Sequence, residues 1–225
     1  MKRFLLAFAI LAGLAATTVP ASADLVYTLN VDSDLSTGHD FGSVTLHQDS
    51  GNTTTVTVTV QLNLVNLGIG FANTGAGYAV AWDLTSGVVP TSIGINAATP
   101  NPGVFTVATT GGNFLGSYTA SPFTSGANGN PFNYAIDYTG ATGPSNNQLI
   151  FDVTRTAGLA LSNFIGNPSY FFAVDIITST GATRNVAAGL VPTTQIPEPQ
   201  AWALFFAGLI GLAVLQRRRQ TARAA

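Results

Sequence analysis

The 225-residue chain has no cysteine, one lysine (Lys2), one glutamate (Glu198) and two histidines (His39 and His47). Without cysteine there are no disulfides and no thiolate chemistry, so stability has to come from a core of ordinary size. With two histidines and no Gly-x-Ser-x-Gly elbow, a Ser-His-Asp triad has little to draw on, and zinc lacks the three or four ligands it requires. Cations are missing from the middle of the chain: Lys2, Arg3, Arg217, Arg218, Arg219 and Arg223 sit at its ends. Between Asp24 and Gln195 only Arg155 and Arg184 stand against nine aspartates, a formal charge of −7. Such a segment does not neutralise nucleic-acid phosphates and does not adhere by itself to anionic lipid.

Both ends read as targeting devices. Lys2 and Arg3 precede the apolar run 4–16, and a polar stretch then leads to Ala21-Ser22-Ala23, with small residues at the two positions a signal peptidase reads. Cleavage after Ala23 leaves Asp24 as the first residue of the mature chain. The apolar run is shorter than the roughly 20 residues of a membrane span, which favours a cleaved peptide over an anchor. At the other end the uncharged run 201–215 is followed by Gln216 and then Arg217, Arg218 and Arg219. Arginines beside a span stay in the cytoplasm, so the domain is expected outside and the basic tail inside. The 15 residues of the run reach about 22 Å as a helix, short of a hydrocarbon core near 30 Å, which suits a temporary anchor.

Just before this run stands Ile196-Pro197-Glu198-Pro199. The order of Pro-Glu-Pro, apolar helix with Trp202 near its start, and arginine cluster resembles the PEP-CTERM sorting signal of Gram-negative bacteria. The resemblance covers residues 196–219 and implies processing during export by an exosortase, an integral-membrane cysteine protease. Pro197, Glu198, Pro199 and the three arginines are the positions it singles out. The prolines fix φ and lack N–H donors, so the motif stays extended and open to a protease.

The residues between the ends alternate apolar with Thr, Ser or Asn and show no persistent helical period, which predicts an all-β domain. Over residues 53–64, Val56, Val58, Val60, Leu62 and Leu64 point one way and Thr55, Thr57, Thr59, Gln61 and Asn63 the other. With Val44 and Leu46 ahead of the Asp49-Ser50-Gly51-Asn52 turn, this predicts a hairpin. Further strands are expected at 25–31, 77–84, 88–95, 103–109, 133–138, 148–155, 170–178 and 183–190. Nine or ten short strands favour a two-layer antiparallel β-sandwich, jelly-roll-like, with a β-barrel as the main rival. The predicted order is signal peptide 1–23, β-domain 24–190, Pro-rich linker 191–200, transmembrane helix 201–216 and basic tail 217–225.

Three constellations carry candidate chemistry. Asp32, Asp34 and Asp40 lie in an oxygen-rich stretch that fails as an EF-hand, since Gly38 comes one place late and position twelve is Ser43. An irregular calcium site is the alternative to a solvated turn there. Trp82, Tyr118 and Tyr134, with Tyr78, Phe123, Phe132 and Tyr138, form the pool for an aromatic sugar platform, weighed against rings that simply fill the core. Asp137, Asp152 and Asp175 are the carboxylates for glycoside hydrolysis, although Arg155 and Arg184 are expected to neutralise Asp152 and Asp175 structurally.

The expectation is therefore a non-enzymatic, exported surface or extracellular-matrix protein associated with exopolysaccharide or biofilm, without a required cofactor. A carbohydrate-binding module is the alternative and a glycoside hydrolase the third reading. Its partners are signal peptidase and exosortase during export, the inner membrane in passing, and extracellular polysaccharide afterwards.

Overall fold

Alternation makes the first strands. From Val56 on, an apolar residue recurs at every second position while the threonines and glutamine between them face the other way. The computed structural model describes residues 23–33, 39–63, 68–72, 78–120, 123, 131–141, 146–166, 170–189 and 194–195. The compact unit that holds the sheet comprises Asp24–Gln48 and Asn52–Gln195. The strands are β1 (Ala23–Asp32), β2 (Gly42–Gln48), β3 (Thr55–Leu62), β4 (Gly70–Phe71), β5 (Val80–Leu84), β6 (Ser92–Ile95) and β7 (Phe105–Val107). They continue with β8 (Tyr134–Tyr138), β9 (Gln148–Thr154), β10 (Phe164–Ile165), β11 (Tyr170–Ile177), β12 (Thr183–Gly189) and β13 (Thr194–Gln195).

These strands form one antiparallel path, β6-β9-β3-β2-β1-β12-β11-β5-β8-β7, with β13 on β1, β4 on β11 and β10 on β5. The end strands β6 and β7 lie beside each other, so the sheet is nearly closed into a barrel. The all-β, antiparallel expectation holds, and the near-closure leans toward the barrel that was its rival. Strand β1 is the reason. Its start pairs with β13 and its end with β12, and a bulge between Leu29 and Val31 carries it from one half of the sheet to the other.

The predicted hairpin forms with Val44 opposite Val60 and Leu46 opposite Val58. Val56, Val58 and Val60 are fully buried, whereas Leu64 lies outside the described residues. The Asn52 side chain closes the turn by accepting hydrogen bonds from the Thr54 and Thr55 amides, each at 3.0 Å. Three two-residue strands, β4, β10 and β13, are too short to show any period in the sequence. Strand β13 falls within the stretch 191–200 expected to act as a linker: Gln195 pairs with Leu25 and Thr194 with Val26.

The two halves enclose an aliphatic and aromatic core. Val44, Leu46, Val58, Val60, Leu149 and Phe151 come from one half, and Leu29, Trp82, Tyr134 and Phe172 from the other. Trp82 joins them, with its ring 4.9 Å from that of Phe151 and 5.9 Å from that of Tyr134. Leu29, Ala188, Phe172, Trp82 and Tyr134 stand in one cross-strand row. The adjacent row is built otherwise: Val31, Ala187, Ala173, Ala81 and Ala135 are in register and face outward.

On that small-residue floor lies a second core. The segment between β7 and β8 brings Tyr118, Phe123 and Phe132 onto the alanines, with Tyr78 and Tyr170 at the border. Its backbone is paired within itself, Tyr118 and Phe132 exchanging N–H···O bonds of 2.8 and 3.0 Å. Alanine is required under this cover because each larger side chain would lift the rings off the sheet. An Ala81→Leu substitution is therefore expected to cost about 1–3 kcal/mol through overpacking, read from urea unfolding. Trp82→Ala is expected to cost about 3–5 kcal/mol. Equal, near-zero effects of the two would contradict this packing.

Candidate functional site

The outward face of β2, β3, β9 and β6 is a sheet of hydroxyl and amide side chains. In register across it run Ser43, Gln61 and Gln148; Thr45, Thr59 and Ile150; and His47, Thr57, Asp152 and Gly94. Neighbours bond across the strands: the Thr57 hydroxyl donates to Asp152 at 2.7 Å, and the Gln148 amide donates to the Gln61 oxygen at 2.8 Å. Asn96 adds a second donor to Asp152 at 3.0 Å. His47 also holds the Asp24 carboxylate, so the first residue after the expected cleavage point is fastened to this face.

At the Ser43–Gln61 end the face runs into a cleft of about 440 Å³ lined by Thr28, Asp40, Ser43, Gln61, Asn63 and Asn147. Gly42 lets β2 approach β3 closely beside the cleft: its φ is +134°, and a Cβ there would sit 2.1 Å from the Gln61 carbonyl oxygen. Asp40 accepts a hydrogen bond from the Gly42 amide at 3.1 Å, and the Asn63 amide donates to the Asp40 carbonyl at 3.3 Å. One carboxylate, three amides and two hydroxyls present donors and acceptors without a cation. That set suits hydroxyl-rich ligands and disfavours anions.

The sequence-predicted residues scatter. Asp40 belongs to this cleft, Asp32 is buried against Arg184 at 3.3 Å, and Asp34 lies outside the described residues. Among the described residues no three of His, Asp or Glu gather where they could share a metal ion. Trp82, Tyr118 and Tyr134 are 0, 4 and 2 % exposed. A stacking platform needs an open ring face, so these three are core, as are Phe123, Phe132 and Tyr138.

The expected ion pairs are also corrected. Asp175 stands opposite Asn185 and Arg184 opposite Ile176. The period of two therefore sends Arg184 to the other face, where it meets Asp32. Asp152 is served by Thr57 and Asn96, while Arg155 donates to the Gly158 carbonyl at 3.0 Å. Sequence reading put Gln61 and Asn63 on the polar side of 53–64 without singling them out as a site, and it missed Asn147, whose approach depends on the β3–β9 pairing.

Burial shapes the titration of the second half. Desolvation pushes Asp83 and Asp137 above the usual carboxylate range, and at Asp83 hydrogen bonds from Asn133 partly offset it. Tyr134 is pushed up to about 12 by burial and the nearby Asp83 charge. Tyr78 rises through burial, then Asp137, then Tyr118. A raised carboxylate pKa means that the folded state holds its proton longer, so stability is lost as pH climbs from near 3.9 through the raised value. Relative to wild type, Asp83→Asn is therefore expected to gain stability between pH 4 and pH 7 in urea titrations, and a constant difference would contradict it.

The tails Ala21, Pro197, Glu198, Pro199, Arg217, Arg218 and Arg219 and the run 201–215 lie outside the described residues, among which no helix is long and apolar enough to cross a membrane. Compared with known protein families, with curated proteins and with solved structures, the chain matches none.

Proposed function

We propose that this chain is an exported, exosortase-sorted surface or extracellular-matrix protein that works by contact rather than by chemistry. The observation that carries the reading is the placing of the sheet between the two targeting segments. Strand β1 begins at Ala23, where the signal peptide is expected to end, and β13 closes at Gln195, directly ahead of Ile196-Pro197-Glu198-Pro199. In this reading the near-closed sheet behaves as a jelly-roll-like sandwich whose two halves are the layers, and 201–216 is its transient inner-membrane helix.

The hydroxyl and amide face supports association with exopolysaccharide. It offers many hydrogen-bond partners in register, carries little charge, and continues into a polar cleft. Such contacts are individually weak, about 1 kcal/mol net each, and accumulate over an extended polymer. The signal peptidase and the exosortase are partners in passing. Calcium, if bound, is a structural ion and does not choose between readings.

The test compares expression in a host with the exosortase and one without it, reading the mass and compartment of the mature chain. The expected product starts at Asp24, has lost the segment after the Pro-Glu-Pro region, and reaches the outside only with the enzyme. A full-length chain in the inner membrane of both hosts would overturn the sorting reading.

A further inference from the structure

Among the described residues the large apolar side chains that stand out of the surface are Val89, Leu115 and Ile165, at 50, 48 and 38 % exposed. They come from three distant segments, yet all three rim a single groove of about 480 Å³. That volume lies in the range of small-molecule sites, roughly 300–1,000 Å³. Coincidence of three exposed apolar residues at one concavity is not what scattered surface residues produce.

The floor of the groove is polar. Asp83, only 5 % exposed, lines it beside Asn133, with the hydroxyl-bearing Thr85 and Ser86 on the adjoining turn. The topology puts the carboxylate there: Ile165 of β10 stands opposite Asp83, while on the other side of β5 Tyr134 of β8 stands opposite Trp82. The backbone N–H of Asn133 donates to Asp83 Oδ1 at 2.7 Å. The Tyr134 hydroxyl donates to the Val88 carbonyl at 3.2 Å and so fixes the turn that carries Val89. A carboxylate has about four acceptor positions, so Asp83 retains capacity toward a ligand in the groove.

We propose that this groove binds one or two residues of a neutral saccharide, whose adjacent hydroxyls donate to Asp83 and whose C–H face rests on Val89, Leu115 and Ile165. A sugar ring is hydroxylated at its edge and apolar over its axial hydrogens, which matches a carboxylate floor and an aliphatic rim. A purely apolar ligand would cover the Asp83 carboxylate without adding a donor to those it has from Asn133. An acidic sugar would meet Asp83 inside a domain of formal charge −7, with neither arginine of the domain among the lining residues. The inference deepens the matrix reading, on which it rests for the saccharides within reach, and it names a site distinct from the polar face.

The full-length protein is run on native gels containing dextran, galactomannan, xyloglucan or polygalacturonate. At least one of the three neutral polymers is expected to retard it, and polygalacturonate is not. Asp83→Asn is expected to weaken the apparent affinity by about tenfold or more, the scale of a lost hydrogen bond to a charged group, and the exposed Leu115→Ser by about tenfold through lost apolar contact. Thr183→Ala, exposed on β12 and part of neither the groove nor the polar face, leaves it unchanged. The proposal is overturned if no neutral polymer retards the chain, if both groove variants migrate as wild type, or if a lysine-rich peptide is captured through Asp83 and the neutral polymers are not. Correct sorting combined with unchanged gels for the groove variants would remove the groove and leave the matrix reading standing. Retained sugar binding with failed sorting would do the reverse.

Discussion

The second half of this domain is covered on both faces of its sheet, and that constraint sets a row of large residues on one side against a row of alanines on the other. The row Leu29, Phe172, Trp82 and Tyr134 fills the space toward β3 and β9, while Ala187, Ala173, Ala81 and Ala135 stand one residue along and face out. Each fully buried large side chain contributes about 1.5–3 kcal/mol relative to exposure, and a floor of alanines lets Tyr118, Phe123 and Phe132 add theirs from outside. Without cysteine to staple it, the long segment between β7 and β8 depends on this second layer to offset its ordering entropy. The bulge in β1 belongs to the same scheme, since it turns Val31 to the outer row while Leu29 stays inside.

Much of the fold was legible wherever one face of a strand met water. Val56, Val58, Val60 and Leu62 against Thr55, Thr57, Thr59 and Gln61 give the strand, its buried face and its hairpin partner directly. Strands β5 and β11 are buried on both faces, so their apolar runs give strand but not orientation. For that reason Trp82 and Tyr134 could be listed as sugar-stacking rings from the sequence, and only the register shows them inside. The same ignorance of register paired Arg184 with Asp175 instead of Asp32. The groove at Asp83 joins β5, β8, β10 and the segment around Leu115, a meeting of distant pieces that no local pattern encodes.

The surfaces left by this construction differ in kind. The first half presents in-register hydroxyls and amides that are already bonded to one another, a broad and weakly selective contact. The second half presents a small apolar-rimmed groove around one desolvated carboxylate, which is a selective one. Under the proposed matrix role the two surfaces divide the work, with many weak contacts for retention and one groove for choice of sugar.

The double burial of the second half is most directly tested by native-state amide hydrogen exchange. The account predicts that the amides of Ala81, Ala173 and their β5 and β11 neighbours exchange most slowly, by global unfolding, with β3 and β9 less protected on their solvated face. If β5 and β11 instead exchange faster than β3 and β9, the aromatic cover does not seal the alanine row and the packing described for this half is wrong.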